Sequence, residues 1–475
     1  MNRTGLWALA LIALTLLGAG CATPEGAKRP GTPADWRAES QPALAEGEAR
    51  ELSEGPSLAV SVQLGAARNP AVAAARERWL ARIKVEPQAL TPPDPMLEGG
   101  YQFRNMATRI EPVELMQPLP WPQKLRARGR VAAADADIAQ LQYEAALRDL
   151  IVDIKGSYYE LFYLDHAIAV VGGIEEMLRK DALLAGASLN TGRTALSEVF
   201  RAESQAAQVA YDVILLTEQR AAQAERFRAL LNLPPGTPIG PVKGAPVYAV
   251  SDDLEELQGR AEAYAEILQI KGLETQRAAF ETHLATLSRI PDVTVGGIYT
   301  FVGDARSMET TTSSGTTTQA PPPPDRGKDP IAGMLTMNLP IFVWRNNALI
   351  AEQKALERAM RLDALAEVNA VRAGVARAYF NVRLTERLLA LYDNTLLPQA
   401  QSVMEQSERL FRAEQVSFSS MTETALAWQN FTLARLRALA DHGQAIGELE
   451  RLLGTTAEGR AAEAADDVAA EGAEK

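Results

Sequence analysis

The spacing of apolar residues passes from helical to strand-like and back to helical, and then the whole series repeats. Three- and four-residue steps begin near Leu58, run through Val60, Val62 and Ala67 and reach Ile83. Asn69-Pro70 places a cap and a first-turn proline inside that run, which predicts two helices in series. Thr91-Pro92-Pro93-Asp94-Pro95 closes them. From Met96 to Phe103 the period falls to near two. After the polar break Arg104 to Arg109 it continues from Ile110 to Pro120, with Val113, Leu115 and Leu119 on one face and Glu114 and Met116 on the other. Two strands of about ten residues, joined tightly, match a hairpin long enough to cross a bilayer.

From Lys124 a stripe through Ala132, Ala136, Ala139, Tyr143, Leu147, Leu150, Ile154, Tyr158 and Leu161 keeps helical steps. Only isolated glycines interrupt the pattern up to Leu189. A helix of roughly 65 residues is about 100 Å long, which implies coiled-coil packing. A short turn, Asn190 to Val199, leads into a returning helix from about Leu196 to Leu231, and Pro234-Pro235-Gly236 ends it.

The second half repeats the first. A helical run from Leu254 to Leu287 is followed by Val295-Gly296-Gly297-Ile298-Tyr299-Thr300-Phe301, which echoes Glu98 to Phe103. Ala332 to Pro340 echoes Pro112 to Pro120, and Ala378-Tyr379 in the next long helix echoes Ser157-Tyr158. The turn Arg412 to Met421 matches the first turn without a gap, Gly192 against Glu414 and Leu230-Leu231 against Leu452-Leu453. The halves differ most at Asp304 to Asp329, a Thr/Ser-rich loop with four consecutive prolines that is expected in water.

Composition narrows the class. The 475 residues are 47% hydrophobic but only 6% aromatic, as in long packed helices, and the net charge of −12 argues against a nucleic-acid partner. Arg3, the apolar run Leu6 to Leu17 and Gly18-Ala19-Gly20 have the layout of a secretory signal peptide. The lone Cys21 then resembles a bacterial lipobox, with Gly18 where Leu is usual. That resemblance implies a diacylated lipoprotein, and Ala22 in place of Asp implies outer-membrane sorting; two acyl chains anchor stably where one does not. The expected domains are a signal peptide over 1–20, a lipidated, largely unstructured tether over 21–56, repeats over 57–235 and 250–454, and a disordered acidic tail over 455–475.

Four strands cannot close a barrel, and open sheet edges are not tolerated in lipid. Several copies must therefore combine if the strands enter a membrane. At this point the doubled order of helix, hairpin, long helix, turn and returning helix resembles the TolC family of outer-membrane efflux proteins. Pro118-Leu119-Pro120-Trp121-Pro122-Gln123-Lys124 resembles the strand-to-helix junction of its CusC/CzcC-like branch, with Gln123 where Gly is usual. The resemblance spans about Ser57 to Gly454. It implies a mostly α fold with membrane β: a homotrimer with a twelve-stranded outer-membrane barrel and a long periplasmic α-helical barrel. It also implies a periplasmic adaptor, an inner-membrane transporter of the resistance-nodulation-division type, and no catalysis or cofactor.

The same resemblance assigns the candidate sites. The adaptor-docking tips are Asn190, Gly192, Arg193, Thr194, Leu196 and Ser197, with Ala413, Glu414, Val416 and Ser417 in the second copy, where Glu414 departs from the family's Gly. A periplasmic gate falls on Glu198, Ser420 and Glu423. Aromatics near strand ends, Tyr101, Phe103, Trp121, Tyr299, Phe301, Phe342 and Trp344, suit interfacial girdles, although packing between protomers would also place them there. The bland reading of the tips is a plain helical-hairpin turn, and of Glu423 a solvated coiled-coil face. Gly99-Gly100 and Gly296-Gly297 lack the context of a nucleotide loop and suit sheet curvature. His166, His283 and His442 have no ligand spacing, so no metal site is expected. The leading function is the exit duct of a tripartite efflux pump for metal ions or small toxic molecules. The alternatives are a duct for type I protein secretion and a non-conducting structural lipoprotein that spans the envelope. A periplasmic enzyme lacks any nucleophile–base pair.

Overall fold

The computed structural model describes residues 44–101, 110–190, 195–250, 252–302, 309–311, 315, 317–319, 328–413 and 415–454. In chain order these form α1 (Glu46–Glu54), α2 (Leu58–Arg68), α3 (Pro70–Ile83), α4 (Val85–Leu90), β1 (Met96–Gly99), β2 (Ile110–Leu119), α5 (Pro122–Asn190) and α6 (Leu196–Leu230). The second half gives α7 (Leu254–Tyr264), α8 (Glu266–Thr286), β3 (Val293–Val302), β4 (Glu309–Thr311), β5 (Thr317–Gln319), β6 (Ile331–Met337), α9 (Val343–Leu391), α10 (Leu397–Arg412) and α11 (Phe418–Leu453).

The serial helices arise where the caps predicted them. Asn69 Oδ1 accepts from Ala71 N at 2.9 Å while Pro70 starts α3, and Asn69 Nδ2 donates to Leu230 O at 2.9 Å, tying the break to the end of α6. The run expected as one helix over 254–287 breaks in the same manner at Ala265, with extended backbone (φ −60, ψ 121). In both halves the first of the two helices is 11 residues long. Asn232 (φ 50) and Gly454 (φ 76) follow the two returning helices in left-handed conformation.

α5 runs unbroken for 69 residues. Its counterpart does not: a π turn over Tyr392–Leu396 separates α9 from α10. The core lies where α5, α6 and α11 meet α2 and α3, around Ile154, Leu161, Phe227 and Leu231. Two further clusters sit where α7 and α9 meet α11 and below the turns. Lys155 of α5 and Glu450 of α11, 3% and 1% exposed, form an ion pair at 2.8 Å between the helices. Arg437 forks onto Glu160 at 2.9 and 3.0 Å nearby.

The segment joining the halves, described over 232–250, is held flat on the helices. Tyr158 and Tyr159 hydroxyls donate to Gly244 O and Pro246 O, each at 2.7 Å, and Val242 N donates to Asp165 at 2.8 Å. Buried His442 joins it: Nε2 meets Tyr248 O at 2.8 Å and Nδ1 meets Thr385 Oγ1 at 3.0 Å. The histidine thus fastens the connecting segment to α9 and α11.

One expectation is corrected in part. The stretch 21–56 is read as largely unstructured, yet within its described residues Glu46–Glu54 is helical, because Leu52 is fully buried in the core and its carbonyl accepts from Gly240 N at 2.8 Å. The loop Asp304 to Asp329 carries, among its described residues, a short antiparallel ladder that the sequence reading did not anticipate, Glu309–Thr311 against Thr317–Gln319, since threonine favours extended backbone.

Candidate membrane sheet and periplasmic tips

Strands β1 and β6, of four and seven residues, flank the ten-residue β2 and β3 in one antiparallel sheet of order β1-β2-β3-β6. Leu97 pairs with Leu115, Leu115 with Gly297, Val295 with Leu335 and Tyr299 with Ile331. Because side chains alternate, this register puts Leu97, Val113, Leu115, Leu119, Val295, Tyr299, Phe301, Ile331, Leu335 and Met337 on one face. All ten are exposed, Leu97 by 74% and Leu335 by 70%. The other face carries Glu98, Glu114, Met116, Thr294, Thr300 and Thr336. Prolines are foreign to central strands, yet β2 holds Pro112 and Pro118. Both lie beyond the Val113–Met116 stretch that β1 covers; Pro112 still accepts from Gly100 N at 2.9 Å, and its missing N–H leaves that pair with a single bond at the ladder's end. In the described residues β1 and β6 are paired on one side only.

The aromatics expected near strand ends are exposed where described: Tyr101, Trp121, Tyr299, Phe301, Phe342 and Trp344. Tyr299 stacks edge-on with Phe301 at 4.7 Å, and Phe342 with Trp344 at 5.3 Å. Phe103 lies outside the described residues. At the junction from β2 to α5, buried Lys124 donates to Ile290 O at 2.7 Å and Asp292 at 2.9 Å, and Trp121 N donates to the same carboxylate at 3.2 Å. One half's strand-to-helix joint is thereby clamped to the other's helix-to-strand joint.

At the opposite end stand the turns. Gly192, Arg193, Thr194 and Glu414 lie outside the described residues, as does the side chain of Asn190; Cys21 does too. Leu196, Ser197, Ala413 and Ser417 are exposed and Val416 is half-buried. Ser417 caps α11 by accepting from Ser420 N at 3.3 Å, whereas Ala195 at the start of α6 offers no such acceptor. The aligned pair Leu196 and Phe418 differ sharply. Leu196 is exposed, while Phe418 is buried and meets the Phe411 ring at 6.1 Å. Beside Leu196 the first tip also exposes Leu183, Leu184 and Phe200. Sequence reading missed these three, although Leu183-Leu184 is visible as an apolar pair near the end of the long helix.

Of the gate candidates, Ser420 and Glu423 are exposed and Glu198 is half-buried. The structure does not bring Glu198 into contact with the other two. A different carboxylate is perturbed near the tips: burial pushes Asp181 of α5 above the usual range, Glu408 of α10 adds to this, and Arg412 opposes it.

No family model and no curated protein sequence matches the chain. Solved structures do. The outer membrane protein VceC from Vibrio cholerae superposes with a TM-score of 0.66 at 15% identity, covering 84% of this chain and 96% of that one. CusC, described through its folding and transmembrane channel formation, gives 0.67 at 11% identity over 88% and 96%. The MtrE outer membrane channel of Neisseria gonorrhoeae, in its open state, gives 0.65 at 14% identity over 88% and 94%. Across nearly its whole described length, this chain has the fold of the outer-membrane channels.

Proposed function

We propose that the chain is a TolC-family outer-membrane duct, the exit component of a tripartite efflux pump. The observation that carries this reading is the sheet. Four antiparallel strands with two half-paired outer strands and one face dominated by exposed apolar side chains, interrupted by Gln117 and buried Glu111, are unstable in water and incomplete in lipid. Three copies joined β1 to β6 would close a twelve-stranded barrel with the apolar face toward lipid, and the α5–α6 and α9–α11 hairpins would continue it through the periplasm. Cys21 would add a lipid anchor. Conduction then needs no chemistry in this component.

The tips divide the remaining work. The exposed patch of Leu196 and Phe200, one turn apart on α6, suits the hairpin of a periplasmic adaptor, itself attached to an inner-membrane transporter. The second tip, with buried Phe418 and exposed Glu423, suits the gate. Metal ions or small toxic molecules are the proposed cargo.

Reconstitution of the purified full chain tests the reading. Heat-modifiable trimers and discrete conductance steps in planar bilayers are expected. Monomers that alkaline carbonate washes from membranes would overturn it.

A further inference from the structure

We propose that the start of α5 and of α9 forms a basic collar that holds anionic phospholipid headgroups at the inner rim of the sheet's apolar band; it rests on the membrane reading above. Between Trp121 and Ala134 the chain carries Lys124, Arg126, Arg128 and Arg130 and no carboxylate, although the whole chain is at −12. Arg345 follows Trp344 at the corresponding place in the second half. Lys124 is engaged with Asp292. The four arginines are exposed, and among the described residues none of them has an ion-pair partner.

The position is specific. The cations begin within two helical turns of Leu119, where the apolar face ends, and beside exposed Trp121, Phe342 and Trp344. Arg126 and Arg130, four residues apart, share a face of α5 turned away from Lys124 and hence from α8. Arg128 instead reaches a cleft of about 480 Å³ whose floor is Leu284, Leu349 and Leu356 and whose rim holds Lys124. The carboxylates at this level are Asp292, already taken, Glu281 in that cleft, and Asp94 in the neighbouring one. An apolar floor with cations at its mouth fits an acyl chain and a phosphate. Guanidinium groups fork onto phosphate oxygens, and a lipid surface attracts them within a Debye length.

Tryptophan quenching reads this directly. The full chain is reconstituted in phosphatidylcholine vesicles doped with brominated phosphatidylglycerol or brominated phosphatidylcholine. Phosphatidylglycerol is expected to quench severalfold more effectively at low salt, and sodium chloride should erase the difference. The R126Q/R130Q/R345Q variant should lose the preference while retaining quenching by both lipids. Equal quenching of the wild type, or a preference that survives high salt or the triple substitution, overturns the collar alone. Loss of preference to inorganic phosphate but not to sodium chloride of equal ionic strength would assign the cations to free phosphate and also overturn it. No quenching by either lipid would sink the membrane reading and the collar with it.

Discussion

Asn232 and Gly454 hold the same left-handed turn in the two halves, at φ 50 and φ 76, each abutting the break between its half's two serial helices. Asn232 Nδ2 donates to Arg68 O at 3.0 Å, whereas a Cβ on Gly454 would lie 2.2 Å from Tyr264 O. Asparagine tolerates this conformation better than other non-glycine residues. Gly454→Ala should therefore destabilise by about 1–3 kcal/mol or more. Asn232→Gly should cost about 1 kcal/mol for its hydrogen bond. Denaturant unfolding at fixed protein concentration gives both numbers, and a smaller cost at Gly454 would contradict the geometry.

Lys155 and Glu450 illustrate a buried pair whose members need each other. Lys155→Met or Glu450→Met alone should cost about 3–5 kcal/mol by stranding a charge, while the double substitution should recover most of that. A double-mutant cycle measures it. Additive losses would mean that the pair does not couple.

The raised pKa of Asp181 gives the tips a pH slope. Its folded state takes up a proton more readily than the unfolded chain, because of burial and then Glu408, against Arg412. The stability involved is complete below the ordinary aspartate range, near pH 4, and fades as pH rises through the raised value. Asp181→Asn should match the wild type in acid and exceed it toward neutrality. A difference in melting temperature that stays constant with pH would count against this.

Register assigns the faces of the sheet, so neighbouring residues should respond oppositely. Leu335→Arg puts a cation on the apolar face and should impair insertion, by about 2–4 kcal/mol near the bilayer midplane. Thr336→Arg, on the other face, should insert normally and change conductance instead. Flotation with vesicles and single-channel traces separate the two. Equal impairment would reverse the proposed orientation.

Glu423 is exposed beyond the second turn. If three copies ring the periplasmic mouth, Glu423→Gln should weaken block by multivalent cations in bilayer recordings, since a narrow acidic mouth concentrates them. Unchanged block removes the ring.

The repeat was legible because it depends on local rules: Asn69-Pro70 caps a helix wherever it occurs, and alternation from Ile110 to Leu119 admits only one strand phase. Helix ends fell within a residue or two for the same reason, as at Leu196. Other features depend on distant partners. The helix at Glu46–Glu54 exists because Leu52 reaches a core built from α5 and α6, and the fixed path of 232–250 depends on Tyr158, Tyr159 and His442. The exposed residues at the first tip were only partly hidden: Leu196 and Phe200 are one turn apart on α6 and visible as such, whereas that Leu183 and Leu184 of α5 are left uncovered depends on what packs against the long helix. Glu423 was placed by family pattern, and its exposure leaves that assignment to experiment.

The π turn at Tyr392–Leu396 explains a drift in the alignment of the halves. Tyr158 matches Tyr379, yet Leu231 matches Leu453, so the offset grows by one between those points. A helix absorbs one inserted residue by widening a single turn to i→i+5. The second half is thus a copy with a residue spliced in, and the widened turn confines the phase error to about 100° at one place. Everything toward the tip, α10 included, therefore keeps the facing of its counterpart on α5 despite the extra residue. Two hairpins descended from one pattern thereby stay in phase with their surroundings. Removing Asn394 should close the wide turn to i→i+4 and leave the set of cysteine cross-links between α10 and α11 unchanged, whereas an altered set would show that the turn does not absorb the insertion.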